Sequence, residues 1–76
     1  MKYTCKIKLG AWDTAKEFVQ NTSTFDFDID VFYNRTIIDA KSLLGVLSLD
    51  LSKILTVRYG KDDPRFEEVL RKYCVV

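Results

Sequence analysis

The run Phe25-Asp-Phe-Asp-Ile-Asp-Val31 alternates apolar and acidic residues without a break, and only an extended chain puts every second side chain on one face. It predicts a half-buried strand over 25–31, with Asp26, Asp28 and Asp30 projecting from the wet face about 7 Å apart. A row of parallel carboxylates reads as a solvated face balanced by neighbouring lysines. A divalent-cation cage would need ligands converging from loops.

Such a strand needs partners, and the chain offers three. Residues 2–9 alternate as well, with Tyr3, Cys5, Ile7 and Leu9 on one side and Lys2, Thr4, Lys6 and Lys8 on the other. The lysine side reads as a charged, soluble sheet face in preference to a phosphate-binding stripe. Tyr33-Asn-Arg-Thr36 predicts a tight hairpin, since Asn tolerates positive φ, and Thr36-Ile-Ile38 begins the returning strand. Ile54–Tyr59, rich in β-branched and aromatic residues and closed by Gly60, is the fourth strand.

Three helices fall between and after these strands. Gly10 ends the first strand, and Asp13 or Thr14 caps the helix that follows, with Thr14-Ala-Lys-Glu17 at capping-box spacing. Ala15, Phe18, Val19 and Thr22 mark its inward face, and it should stop in the polar stretch Asn21–Thr24. Near the C-terminus Asp63 is the cap and Pro64 the first helical residue, with Phe66, Val69, Leu70, Tyr73 and Cys74 on one face. Between them, over Asp39–Leu51, the apolar residues abandon alternation for helical spacing. Leu43, Leu44, Val46, Leu47 and Leu51 are too many for one face to bury, so some should lie outward beside Ser42 and Gly45. That greasy surface suggests a partner. The order strand, helix, strand, strand, helix, strand, helix predicts an α+β fold, with a four-stranded antiparallel sheet under three helices.

The 76 residues predict one domain over 1–76, and 47% hydrophobic content is enough for a core without metals or disulfides. A net charge of +1 gives no global field to recruit nucleic acid or an anionic membrane. With no stretch of ~18 apolar residues and no signal-peptide core, a cytoplasmic protein is expected. Cys5 and Cys74 stand at opposite ends of the chain and are expected to be buried thiols with neither a bridge nor a metal. The chain contains no histidine, and it shows no Gly-rich phosphate cradle, no metal-ligand spacing and no nucleophile with an evident base. Neither an enzyme nor a cofactor is implied.

One stretch carries a resemblance. Asp39-Ala-Lys-Ser-Leu-Leu-Gly-Val-Leu-Ser-Leu49 resembles the second-helix segment of HPr, the small phosphocarrier of the bacterial sugar phosphotransferase system. Phe18-Val-Gln20, Phe25 and Asp28-Ile29 resemble its first helix and second strand. The resemblance implies an HPr-like open-faced β-sandwich, and it matches the family's regulatory serine to Ser42, with Lys41 and Gly45 also in agreement. Where HPr has a Gly-Ile-His-Ala-Arg-Pro-like loop, this chain reads Gly10-Ala-Trp-Asp-Thr14. Ala11 then stands at the phosphohistidine position, and histidine-linked transfer is excluded. In this respect the chain is similar to the catabolite-repression homologues of HPr, which also lack the histidine and retain the serine. The connection after the central helix is shorter than in typical HPr sequences and lacks their glycines.

These readings define the candidate residues. Ser42 caps a helix through its hydroxyl oxygen, and the same hydroxyl is a candidate for regulatory phosphorylation; the two roles are compatible. Asp13 could accept a phosphoryl group as an acyl phosphate, although the simple cap is the expectation. Trp12 is expected to fill an edge of the core, the alternative being an outward contact anchor. Partner binding is assigned to the helix expected over 42–51, with Trp12, Lys41, Leu43, Leu44, Gly45 and Leu47 as the binding residues. The implied partners are proteins: an HPr kinase, a transcriptional regulator or phosphotransferase components. The competing expectation is a diverged structural domain that self-associates and has no phosphate chemistry.

Overall fold

The computed structural model describes residues 3–75, so Lys2, expected on the outer side of the first strand, lies outside the described residues. Its elements run β1 (Tyr3–Ile7), α1 (Trp12–Thr22), β2 (Ile29–Tyr33), β3 (Thr36–Asp39), α2 (Leu43–Leu47), β4 (Leu55–Tyr59) and α3 (Pro64–Arg71). All pairings are antiparallel, in the order β1-β4-β2-β3. Ile7, Ile29, Val31, Leu55 and Val57 are buried on one face, against Ala15 and Phe18 of α1, Val46 of α2 and Phe66 and Leu70 of α3. The other face carries Thr4, Lys6, Asp30, Phe32, Thr56 and Arg58, none of them buried. This is the expected α+β arrangement, helices on one side and an open face on the other.

The strand expected over 25–31 begins only at Ile29. The reason is the supply of backbone partners. Ile29 is opposite Tyr59, the last residue of β4, and its carbonyl accepts the N–H of Ala40, where the chain leaves β3. Residues 25–28 therefore have no strand to pair with in this sheet. Their alternation survives as burial: Asp26 and Asp28 are exposed, whereas Phe25 and Phe27 turn inward and pack edge-on against Phe66, with ring centroids 5.1 and 5.5 Å away. Only Asp30 of the acidic row stands on a strand. Its cross-strand neighbour is Arg58 rather than a lysine, because β4 separates the lysine-bearing β1 from β2. Arg58 in turn lies over the Phe32 ring, 4.6 Å from its centroid. Among the described residues no group of three or more carboxylates or thiols gathers to hold a metal.

The hairpin forms as expected, with Tyr33 opposite Thr36 and Asn34 at φ 55°. Helix α1 starts earlier than its sequence suggests. Gly10, at φ 77°, turns the chain, and Ala11, extended, is the N-cap without any side-chain hydrogen bond. Asp13 and Thr14 thus lie inside the first turn, and neither caps it. Glu17, expected in the capping box, instead accepts a hydrogen bond from the Tyr73 hydroxyl at 2.6 Å. The expected inward face, Ala15, Phe18, Val19 and Thr22, is the buried one.

Helix α3 follows its caps: Asp63 accepts the Arg65 N–H at 2.9 Å and Pro64 opens the helix. Its expected inner face holds through Tyr73, but Cys74 is exposed and Cys5 only half-buried, against the expectation of two buried thiols. Past the helix the chain has turned alongside β1: Lys8 N–H donates to the Tyr73 carbonyl and Val75 N–H to that of Lys6, each at 3.1 Å. No described helix is long and apolar enough to cross a membrane.

Candidate functional site

Helix α2 owes its position to a glycine. A Cβ on Gly45 would lie 2.6 Å from Ile38 Cγ2, closer than carbon atoms pack, so the missing side chain is what lets α2 rest on β3. Its start is set by Asp39, whose carboxylate accepts the Lys41 N–H at 2.9 Å while its carbonyl accepts that of Ser42 at 2.9 Å. This tight turn delivers Ser42 in an extended conformation, and its Oγ accepts the Gly45 N–H at 3.2 Å. Ser42 is the expected cap and is also exposed. The helix it opens is shorter than the 42–51 stretch. It closes at Leu47 because the Ser48 hydroxyl donates to the Gly45 carbonyl at 2.6 Å and the Asp50 carboxylate folds the next turn onto Ser52.

Of the apolar residues in the stretch, Val46 and Leu51 are buried and Leu47 is half-buried against the core. Leu44 is 83% exposed, and Leu43 also reaches the surface. The excess of apolar groups over inward positions therefore does emerge on the outside, chiefly at Leu44. Lys41 and Gly45 have structural work: the Lys41 ammonium donates to the Phe25 carbonyl at 2.6 Å, holding the unpaired 25–28 segment to the start of α2.

Trp12 is 68% exposed, which corrects the expectation that it fills a core edge. Buried Leu9 and Leu51 close that edge, tied by a 2.9 Å bond from Gly10 N–H to the Leu51 carbonyl. The same bond joins the loop bearing Ala11 and Trp12 to the chain leaving α2, and α1 packs against α2. Trp12, Leu43 and Leu44 therefore belong to adjoining elements. Ala11 is exposed at the head of α1, where a methyl group offers the first-turn amides nothing. Asp13 is exposed in that first turn.

Residues 2–72 match the sequence profile of the family described as PTS HPr component phosphorylation site. The chain belongs to the HPr family. HPr proteins are phosphocarrier components of the phosphotransferase system and are not themselves catalytic enzymes. Among solved structures it is similar to HPr-C-His from Thermoanaerobacter tengcongensis, with 33% identity over 93% of this chain and 84% of that one, at a TM-score of 0.69. It also shares the fold of the phosphocarrier protein HPr from Bacillus anthracis str. Ames, at 22% identity and a TM-score of 0.69 over 92% and 89% of the two chains. No curated protein matches it.

Sequence reasoning missed the contacts that position these candidate residues. Lys41 reaching Phe25 and Gly45 meeting Ile38 join residues distant in sequence, and no local spacing marks them. Trp12 was misplaced because a large apolar residue beside a glycine reads equally well as filler or as anchor.

Proposed function

We propose that this HPr-family chain is a bacterial, cytoplasmic regulatory or adaptor protein that does not carry phosphohistidine and binds protein partners through α2, with Ser42 as a phosphorylation switch. The observation that supports this most directly is the exposed Ser42 hydroxyl at the head of a helix whose next two residues, Leu43 and Leu44, are exposed leucines. A phosphate on Ser42 Oγ adds about −1.5 to −2 charges at the rim of an apolar surface. It stays beside the N–H groups of the first turn and does not force the helix apart. A partner with arginines next to an apolar pocket then separates the two forms, through charge-assisted hydrogen bonds to one and none to the other. Trp12 supplies a further aromatic contact of the kind that anchors protein interfaces. The absence of any histidine removes the family's phosphocarrier residue, and Ala11 takes its place at the start of α1.

The test is incubation with ATP and an HPr serine kinase. Wild type is expected to gain one phosphate by mass spectrometry, and Ser42→Ala none. Phosphoenolpyruvate with the first enzyme of the phosphotransferase system is expected to label neither. An unlabelled wild type, or equal labelling of Ser42→Ala, removes the switch. If association instead rises with concentration and Leu44→Lys abolishes it, the exposed leucines serve a self-associating domain.

A further inference from the structure

The termini of the chain meet where no local pattern brings them together. Tyr73–Val75 lies along the outer edge of β1, with Cys74 opposite Ile7 in an antiparallel bridge. Side chains two residues apart on a strand share a face, so Cys5 projects on the same side as Ile7 and reaches Cys74 diagonally. The Cys5 thiol donates to Cys74 Sγ at 3.4 Å. The two residues are 69 positions apart in the chain and both are reduced. They lie in an open cleft with Thr4, Glu67 and Arg71.

We propose that Cys5 and Cys74 form a reversible disulfide that joins the first strand to the segment after α3, so that the fold carries a thiol redox site. The sulfurs need to approach by only about 1.4 Å to reach bonding distance. Both lie on backbone already fixed by the hydrogen bonds on either side, Lys8 to Tyr73 and Val75 to Lys6. The oxidant is a low-molecular-weight disulfide such as oxidised glutathione. Exposed Cys74 is the entry point: its thiolate attacks one sulfur of the oxidant and expels one thiol, leaving a mixed disulfide on Cys74. Cys5 then loses its proton, attacks Cys74 Sγ and expels the second thiol. Two protein thiols give up two electrons and two protons, and the small disulfide leaves as two thiols. The order follows from exposure: burial together with the bond to Cys74 pushes the Cys5 thiol up to about 11, so Cys5 holds little thiolate near neutral pH and is the poorer first nucleophile.

Closing a loop this long restricts the unfolded chain more than the native one. The experiment places the reduced protein in oxidised glutathione and follows thiol titration, intact mass and thermal unfolding. Expected are loss of both thiols, a mass about 2 Da lower with no retained glutathione, and a Tm higher by about 10 °C or more. Dithiothreitol should reverse all three. Cys5→Ser should stop at one glutathione adduct on Cys74, Cys74→Ser should form its adduct far more slowly, and neither should show the rise in Tm. Retention of both thiols, a double glutathione adduct, or disulfide-linked dimers in place of the intramolecular bond would each overturn the proposal.

Discussion

At Ser42 and Gly45 single atoms decide how α2 begins and where it lies. Removing the Ser42 hydroxyl leaves the Gly45 N–H without its acceptor, so Ser42→Ala is expected to cost about 1 kcal/mol in urea-induced unfolding. Gly45→Ala sets two effects against each other. A mid-helix alanine gains about 1 kcal/mol in propensity, but the new methyl must displace the half-buried, β-branched Ile38, whose Cγ2 would stand 2.6 Å away. Overpacking of this kind typically costs 1–3 kcal/mol, so the net expectation is a loss of about 1 kcal/mol. The substitution should do less harm in an Ile38→Ala background, where the clashing carbon is gone. A double-mutant cycle with no coupling would show that α2 shifts as a body and does not press on Ile38.

Among the elements, α3 has the clearest pH signature. The Arg65 guanidinium, helped by the Arg65 backbone N–H, holds the Asp63 carboxyl below its usual range. An aspartate with a depressed folded pKa stabilises the fold above its unfolded value of about 3.9, and that contribution is lost as pH falls through the folded value. Stability should therefore decline as pH drops below about 4. Asp63→Asn keeps an oxygen to cap the helix but not the charge, so it should flatten this decline in urea midpoints measured across the acid range. An unchanged slope would place the acid sensitivity elsewhere, with Asp50, held low by its hydrogen bonds to Ser52, the next group to replace. Helix α3 is also tied down from above and below. Phe66 sits among Phe25, Phe27 and Tyr59, and the Tyr59 hydroxyl donates to Glu67. Just past the helix, burial and the bond to Glu17 push the Tyr73 hydroxyl up to about 12, so this link between α1 and the chain end persists through the neutral range.

Over the whole molecule, one buried hydroxyl connects the helical layer to the turn that presents the candidate site. Thr22, fully buried at the end of α1, has one hydroxyl hydrogen, which is shared between the Ala40 carbonyl at 2.8 Å and the more distant Val19 carbonyl at 3.0 Å. Thr22→Val keeps the shape and leaves the Ala40 carbonyl without this donor, a change expected to cost about 1–3 kcal/mol. Faster amide exchange over 40–45 than elsewhere should accompany it, because the lost bond anchors the turn before Ser42. Uniform destabilisation with unchanged relative exchange would show that Thr22 matters only as packing.

The helices, the hairpin and most of the strands were legible because their causes are local: alternation, helical spacing, Asp63 before Pro64, an asparagine where φ is positive. That some of the leucines over 43–51 lie outward was legible too, since five apolar residues exceed what one short helix can bury; that Leu44 is the most exposed and Leu47 packs on the core was not. Other features depended on which backbone or side chain arrives from elsewhere. The alternation at 25–28 forms no ladder because β3 and β4 end at Asp39 and Tyr59. Trp12 stays outside because Leu9 and Leu51 already fill the edge of the core. Cys5 and Cys74 meet because the chain end returns along β1. A sequence states what each segment can bury and which turns it can make; the assembled sheet decides which hydrogen-bonding edges remain for it to meet.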